Sequence, residues 1–262
     1  MDLGLNGKVA IVAAASKGLG RAVATIMAQE GARVTIFSRD RERIERTAAE
    51  IRAETGAEVL SLTVDVTQPD DIARAIDETV QHFGRLDILV TNAGGPPAGT
   101  FETLSDDDFA RAIELNLLST VRMCQAAVPH MKERGGSIVT ITSISVKQPL
   151  PGLILSNTAR TGVVGLVKSM ANELGHYNIR VNNVGPGPTK TDRIIDLARQ
   201  RAARDDLSLD AALEESADGI PLGRLGEPEE FGRVVAFLAS PAASYVSGQT
   251  LIVDGGMSRG SM

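Results

Sequence analysis

The sequence predicts an α/β protein, a single domain built on a Rossmann-type, doubly wound parallel sheet of seven strands with helices on both faces. Three observations carry this. Short β-branched runs alternate with longer helical patterns, most runs are apolar at every position, and more than a dozen residues separate them. A strand that is apolar throughout is covered on both faces, and gaps of that length suit right-handed helical crossovers between parallel neighbours.

The runs are Val9 to Ala13, Val34 to Phe37, Val59 to Val64, Ile88 to Thr91, Ile138 to Ile141, Arg180 to Val184 and Leu251 to Val253. Helical patterns fill the gaps. After Ser105, which reads as the N-cap, Phe109, Ile113, Leu117 and Val121 recur at helical spacing, with Asp106 to Asp108 at the positive end of the helix. There is no repeat and no low-complexity linker, so residues 1–262 read as one domain. One stretch breaks the rhythm. Between Thr191 and Pro221 lies a polar-apolar segment longer than a strand-to-helix connection needs, and it reads as a helical lid at about 193–219, with Ile194, Ile195, Leu197, Leu207, Leu209 and Leu213 turned inward and Arg199, Arg201 and Arg204 facing solvent or an anionic carrier.

Composition narrows the function classes. With 33 acidic residues against 27 basic ones and a net charge of −6, the chain lacks the basic face that nucleic-acid binding requires. Cys124 is the only cysteine, which rules out an internal disulfide and a cysteine metal cluster; among Val121, Met123 and Val128 it reads as a buried apolar residue. No metal site is expected. No apolar run is long enough for a membrane span and no leader pattern opens the sequence, so the expectation is a cytoplasmic protein.

The first strand runs into Ala13-Ala14-Ala15-Ser16-Lys17-Gly18-Leu19-Gly20, followed by the helical pattern Arg21 to Glu30. This is the signature of a dinucleotide-phosphate turn. Gly18 and Gly20 allow close backbone approach, and the free amides of a helix N-terminus attract the pyrophosphate. Where an NAD-binding protein places an acid after the second strand, this chain has Ser38-Arg39; with Lys17, Arg39 favours the 2′-phosphate of NADP(H) over NAD(H).

With these elements in place, the chain resembles the short-chain dehydrogenase/reductase family, especially 3-oxoacyl-acyl carrier protein reductase-like members, over essentially its whole length. The matching residues are Asp65-Val66, Thr91-Asn92-Ala93-Gly94, Asn116, Ser143, Pro186-Gly187 and Val253-Asp254-Gly255-Gly256. The resemblance implies that Ala14, Ser16, Lys17, Gly18, Leu19 and Gly20 cradle the cofactor, that Asp65 beside Val66 bonds the adenine, and that Asn92, Ala93 and Gly94 line the groove. It also implies that Pro186, Gly187, Thr189 and Thr191 hold the nicotinamide end. Helices over Phe109 to Met131 and Thr158 to Leu174 carry apolar and small residues on more than one face; by resemblance they pack between subunits of a homodimer or homotetramer.

The resemblance also implies a reaction, the reduction of a carbonyl or oxidation of an alcohol, 3-oxoacyl-like substrates included. In the family a serine polarises the carbonyl, a tyrosine gives the proton, a lysine tunes the tyrosine, and a helix-borne asparagine completes the set. Ser143 and Asn116 match. The Tyr-x-x-x-Lys pair does not: its place reads Ser156-Asn157-Thr158-Ala159-Arg160, and Tyr177 and Tyr245 resemble structural positions elsewhere. The family's Thr-Gly opening of the phosphate turn is Ala13-Ala14 here. The expectation is an oxidoreductase with an atypical site in which Ser143, Asn116, Ser156 and Arg160 hold the substrate oxygen or a water in place of the phenol; Arg160 also reaches the ribose. A non-catalytic NADP(H)-binding protein, a sensor or partner subunit, is the alternative. His82, His130 and His176 read as helix-end residues, and Lys147 as surface charge.

Overall fold

The computed structural model describes residues 2–260, without the side chains of Arg193, Leu197, Gln200 and Arg201. The chain alternates strand and helix: β1 (Val9–Ala13), α1 (Gly18–Gln29), β2 (Arg33–Ser38), α2 (Arg41–Thr55), β3 (Val59–Thr63), α3 (Pro69–Phe83), β4 (Ile88–Thr91), α4 (Asp106–Ile113), α5 (Ser119–Met131), β5 (Gly136–Ile141), α6 (Ile154–Leu174), β6 (Ile179–Pro186), α7 (Asp192–Asp205), α8 (Leu209–Glu215), α9 (Pro228–Ala239) and β7 (Thr250–Val253). The strands form one seven-stranded sheet in the order β3-β2-β1-β4-β5-β6-β7. Every pairing is parallel.

Side-chain alternation explains why the strands are apolar throughout. On β1, Ala10 and Val12 enter one core with Val23, Met27, Ile44 and Phe231 from α1, α2 and α9. Ile11 and Ala13 point the other way, into a core with Ile72, Met123 and Val163 from α3, α5 and α6. Cys124 is buried there as expected, and burial pushes its thiol up to about 12. Close packing on the first face needs Gly232: a Cβ there would sit 3.0 Å from Ala22 O.

Because β1 connects to β2 on one side and the chain later returns to place β4 on the other, the winding reverses between β1 and β4. A crevice opens there, beyond the carboxyl ends of the strands. Ser105 caps α4 as expected, its hydroxyl accepting from Asp108 N while Asp108 closes the reciprocal bond. The helix that follows is not a continuous α-helix: a π-helical turn, Glu114–Leu118, separates α4 from α5. Its extra residue shifts the phase of the stripe between α4 and α5, and Ile113, the last residue of α4, is exposed.

The expected lid segment forms two helices. α7 is capped at its C-terminus by Asp206, which has a left-handed φ of 53°, and α8 folds back so that Ala202 and Ala212 pack together. Leu209 and Leu213 turn inward, as expected. Leu207 does not: it lies in the exposed link between the helices, a correction to the inward set. Arg199 pairs with Asp196 at 2.8 Å and Arg204 with Asp205 at 2.7 Å, so both are occupied on their own helix. Leu197 and Arg201, named with them from the sequence, lie outside the described side chains. No helix among the described residues is long and apolar enough to cross a membrane.

Candidate active site

A cleft of about 770 Å³ follows the carboxyl edge of the sheet from the end of β2 to the start of α7. At one end lies the turn after β1. Gly18 has φ +56° there, and Gly20 lies so close to the strand end that a Cβ would approach Ala14 O to 2.5 Å. No side chain caps α1, so the helix presents its first amides to the cleft. Ala14, Ser16, Lys17, Gly18, Leu19 and Gly20 all line this end. Ala14 holds an unusual conformation for a residue with a Cβ, φ +50°.

Lys17 and Arg39 are exposed beside the turn. Neither has an ion-pair partner among the described residues. Arg43, which the sequence reading passed over, joins them at the cleft wall, paired to Asp40 at 3.4 Å. Asp40 also caps α2 by accepting from Arg43 N. The signal was available: Arg39 and Arg43 are four residues apart across a helix start. Helix amides free of side-chain caps, a glycine cradle and cations at its rim fit a phosphorylated dinucleotide.

Along the cleft, Val66, Asn92, Ala93 and Gly94 line the middle, and Pro186, Gly187, Thr189 and Thr191 the far wall. Asp65 is not among the lining residues. Its carboxylate accepts from Thr67 N at 2.9 Å and Thr67 Oγ1 at 2.8 Å, bracing the turn after β3.

The inner end of the cleft brings together Ser143, Ser156 and Arg160. Ser143 leaves β5 and Ser156 lies on the first turn of α6. Ser143 Oγ accepts from Ser145 N at 3.1 Å, and Ser145 Oγ lies 3.4 Å from Ser156 Oγ. Ser145 escaped the sequence reading, and its only signal was its spacing from Ser143. Arg160, one turn after Ser156 and nearly buried, donates to Thr142 O and, at 3.4 Å, to Ala93 O. These bonds tie α6 to the ends of β4 and β5. Asn116 is not in the lining: it is buried in the π-helical turn with Nδ2 3.4 Å from Ala112 O.

The remaining candidates lie elsewhere. Lys147 is exposed outside the cleft lining. His82, His130 and His176 sit at or just after helix ends, as expected. Tyr245 is fully exposed, and Tyr177 packs beneath Lys132, whose Nζ lies 4.9 Å from the ring centre. Among the described residues no cluster of His, Cys, Asp and Glu is arranged to hold a metal ion.

Residues 13–258 match the family described as enoyl-(acyl carrier protein) reductase. Versicolorin reductase of Emericella nidulans is 34% identical over 257 residues, 97% of each chain. The 3-oxoacyl-(acyl-carrier-protein) reductase of Thermotoga maritima is 35% identical over 254 residues, 97% of this chain and 98% of the relative. Among solved structures, L-sorbose reductase of Gluconobacter frateurii in complex with NADPH and L-sorbose superposes with a TM-score of 0.96 at 33% identity, covering 99% of this chain and 100% of that one. A short-chain oxidoreductase of Pseudomonas aeruginosa PAO1, described as containing an atypical catalytic centre, gives 0.92 at 31% identity and covers 98% and 100%. The chain belongs to the short-chain dehydrogenase/reductase family, and it is an NAD(P)-dependent oxidoreductase of that type.

Proposed function

We propose that the protein is an NADP(H)-dependent oxidoreductase of a carbonyl or alcohol substrate whose active site works without a phenolic proton donor. The observation that carries this is the grouping of Ser143, Ser156 and Arg160 at the inner end of the cleft, with no tyrosine among the residues that line it. A dihydronicotinamide bound in the cleft supplies hydride. The chain's own residues do the rest. The amides of α1 and the turn from Ala14 to Gly20 hold the pyrophosphate, while Lys17, Arg39 and Arg43 meet the 2′-phosphate. Asn92 to Gly94 and Pro186 to Thr191 flank the cofactor, with Asp65 supporting the adenine side through its turn.

Ser143 and Ser156 donate hydroxyl hydrogens to the substrate oxygen or to a water beside it, and the buried Arg160 adds a fixed positive charge. Asn116 contributes from behind by shaping the π-helical turn. A relative of the same architecture holding an atypical catalytic centre supports this reading, and the NADPH complex of L-sorbose reductase supports the cofactor. The paired helices α7 and α8 form a lid, with Ile194 facing the cleft. Exposed Ile113 and Leu118 near the π-helical turn support assembly through α4 to α6 into a homodimer or homotetramer. We place the protein in the cytoplasm.

Calorimetric titration tests the cofactor half of the reading: NADPH should bind at least ten times more tightly than NADH, and equal affinity would overturn it. One observation favours a second reading, a non-catalytic NADP(H)-binding protein: two donors of Arg160 are already spent on backbone carbonyls. NADPH bound without turnover of any carbonyl would select that reading.

A further inference from the structure

The inner end of the cleft is rich in donors and lacks an acid. Ser145 N–H occupies an acceptor site on Ser143 Oγ, which leaves the Ser143 hydroxyl hydrogen to turn toward the cleft. Ser145 is fully buried and does not line the cleft, whereas Ser156 does. Either hydroxyl can donate across the Ser145–Ser156 contact, and when Ser145 does so the Ser156 hydrogen is left free to turn toward the cleft. Thr142 Oγ1, buried at the same wall, has no hydrogen-bond partner among the described residues. Arg160 adds a charge that no physiological pH removes. Among the described lining residues there is no His, Cys or Tyr. Lys17 stands at the phosphate turn, and the two carboxylates, Asp40 and Asp192, stand at the end of β2 and the start of α7. Among the described residues such a site stabilises negative charge on oxygen but carries no side-chain acid to protonate it.

The walls beside it are apolar: Pro96, Ile144, Leu150, Leu153 and Ile194. We propose that this is an oxyanion-holding subsite and that its acceptor is an apolar conjugated carbonyl, a quinone or an enone, whose reduced form leaves as a stabilised anion. The inference rests on the NADP(H)-dependent reading above and deepens it. The acceptor takes up one hydride from a dihydronicotinamide, which ends as the oxidised pyridinium. A π pair of the acceptor moves onto its oxygen, giving a hydroquinone monoanion or an enolate. That anion departs and takes its proton from bulk water. A saturated ketone would instead leave as an alkoxide, for which the site offers no proton.

Two measurements test this. With oxidised NADP bound, 4-nitrophenol is titrated into the protein and its ionisation followed by absorbance. Donors and a fixed cation should lower its ionisation midpoint by about one pH unit relative to free solution. Ser156→Ala should return most of that shift; if it fails to fold, Ser145→Ala, which removes only the hydroxyl behind Ser156, serves instead. An unchanged or raised midpoint, or a shift that survives both variants, overturns the subsite. In turnover, Ser156→Tyr combined with Arg160→Lys should raise reduction of a saturated cyclic ketone by ~10²-fold or more, the contribution of a positioned acid, with no matching gain in 1,4-naphthoquinone reduction, which needs no acid and loses the Ser156 donor. Equal gains on both acceptors overturn the substrate class. Failure of NADPH to bind defeats the function reading, whereas NADPH binding with phenol held neutral defeats only this inference.

Discussion

Replacing Ala14 by glycine should make the protein more stable and its grip on NADPH tighter. Ala14 sits at φ +50° where the chain leaves β1 for the phosphate turn. For an L-residue with a Cβ the left-handed region costs about 1–2 kcal/mol, because Cβ crowds the following carbonyl oxygen. Glycine removes that strain but loses about 0.5–1 kcal/mol more backbone entropy on folding. The difference leaves a net gain of about 1 kcal/mol, which in a domain of this size raises Tm by about 2–4 °C. Ala14 also lines the cleft, so loss of its methyl opens the turn toward the pyrophosphate. Scanning calorimetry of the apo protein reads the first effect and NADPH titration the second. Ala15→Gly is the control: Ala15 is fully buried and has no positive φ, so it should lose stability. If Ala14→Gly lowers Tm, or both alanines respond alike, strain at the turn is not what distinguishes this site.

Arg39→Asp should move cofactor preference toward NADH, since it removes a phosphate partner and supplies a ribose acceptor; an unchanged preference in titration would show that Lys17 and Arg43 suffice. Cys124 should resist alkylation in the native protein at pH 8 and react on unfolding, because burial keeps its thiol protonated up to about 12. The folded state thus holds a proton that the unfolded chain releases near the ordinary thiol value, so stability should fall as pH rises above about 9. Limited proteolysis between α7 and α8, where Leu207 is exposed, should slow when cofactor and substrate are both present, and equal cleavage in every liganded state would show that the segment is no lid.

The sheet was legible because both of its faces are covered. Runs such as Val9 to Ala13 and Ile88 to Thr91 match β1 and β4 residue for residue, whereas β6 extends through Gly185 and Pro186, which carry no strand propensity and are held by pairing with Ile252 and Val253 of β7. The π-helical turn was not legible: its hydrogen bonds leave no spacing signature distinct from an α-helix, and Phe109, Ile113, Leu117 and Val121 fit either. In the cleft, the glycine turn and the residues after β4, β5 and β6 could be placed because chain topology alone brings strand ends together. Side-chain direction could not. Arg160 reads as a cation for the ribose, yet in the folded chain its donors reach Thr142 O and Ala93 O, residues distant in sequence. Asn116 and Asp65 are likewise drawn into their own turns.

The most direct test of the account is NADPH consumption by the native protein against a panel of conjugated and saturated carbonyls, repeated with Ser143→Ala and Ser156→Ala. The account predicts turnover by the native chain that falls by ~10²-fold when the Ser143 hydroxyl is removed, as for loss of one oxyanion donor, with NADPH affinity unchanged. A native chain that binds NADPH but reduces no carbonyl, and that gains activity only as Ser156→Tyr with Arg160→Lys, would contradict it and identify the protein as a binder rather than an enzyme.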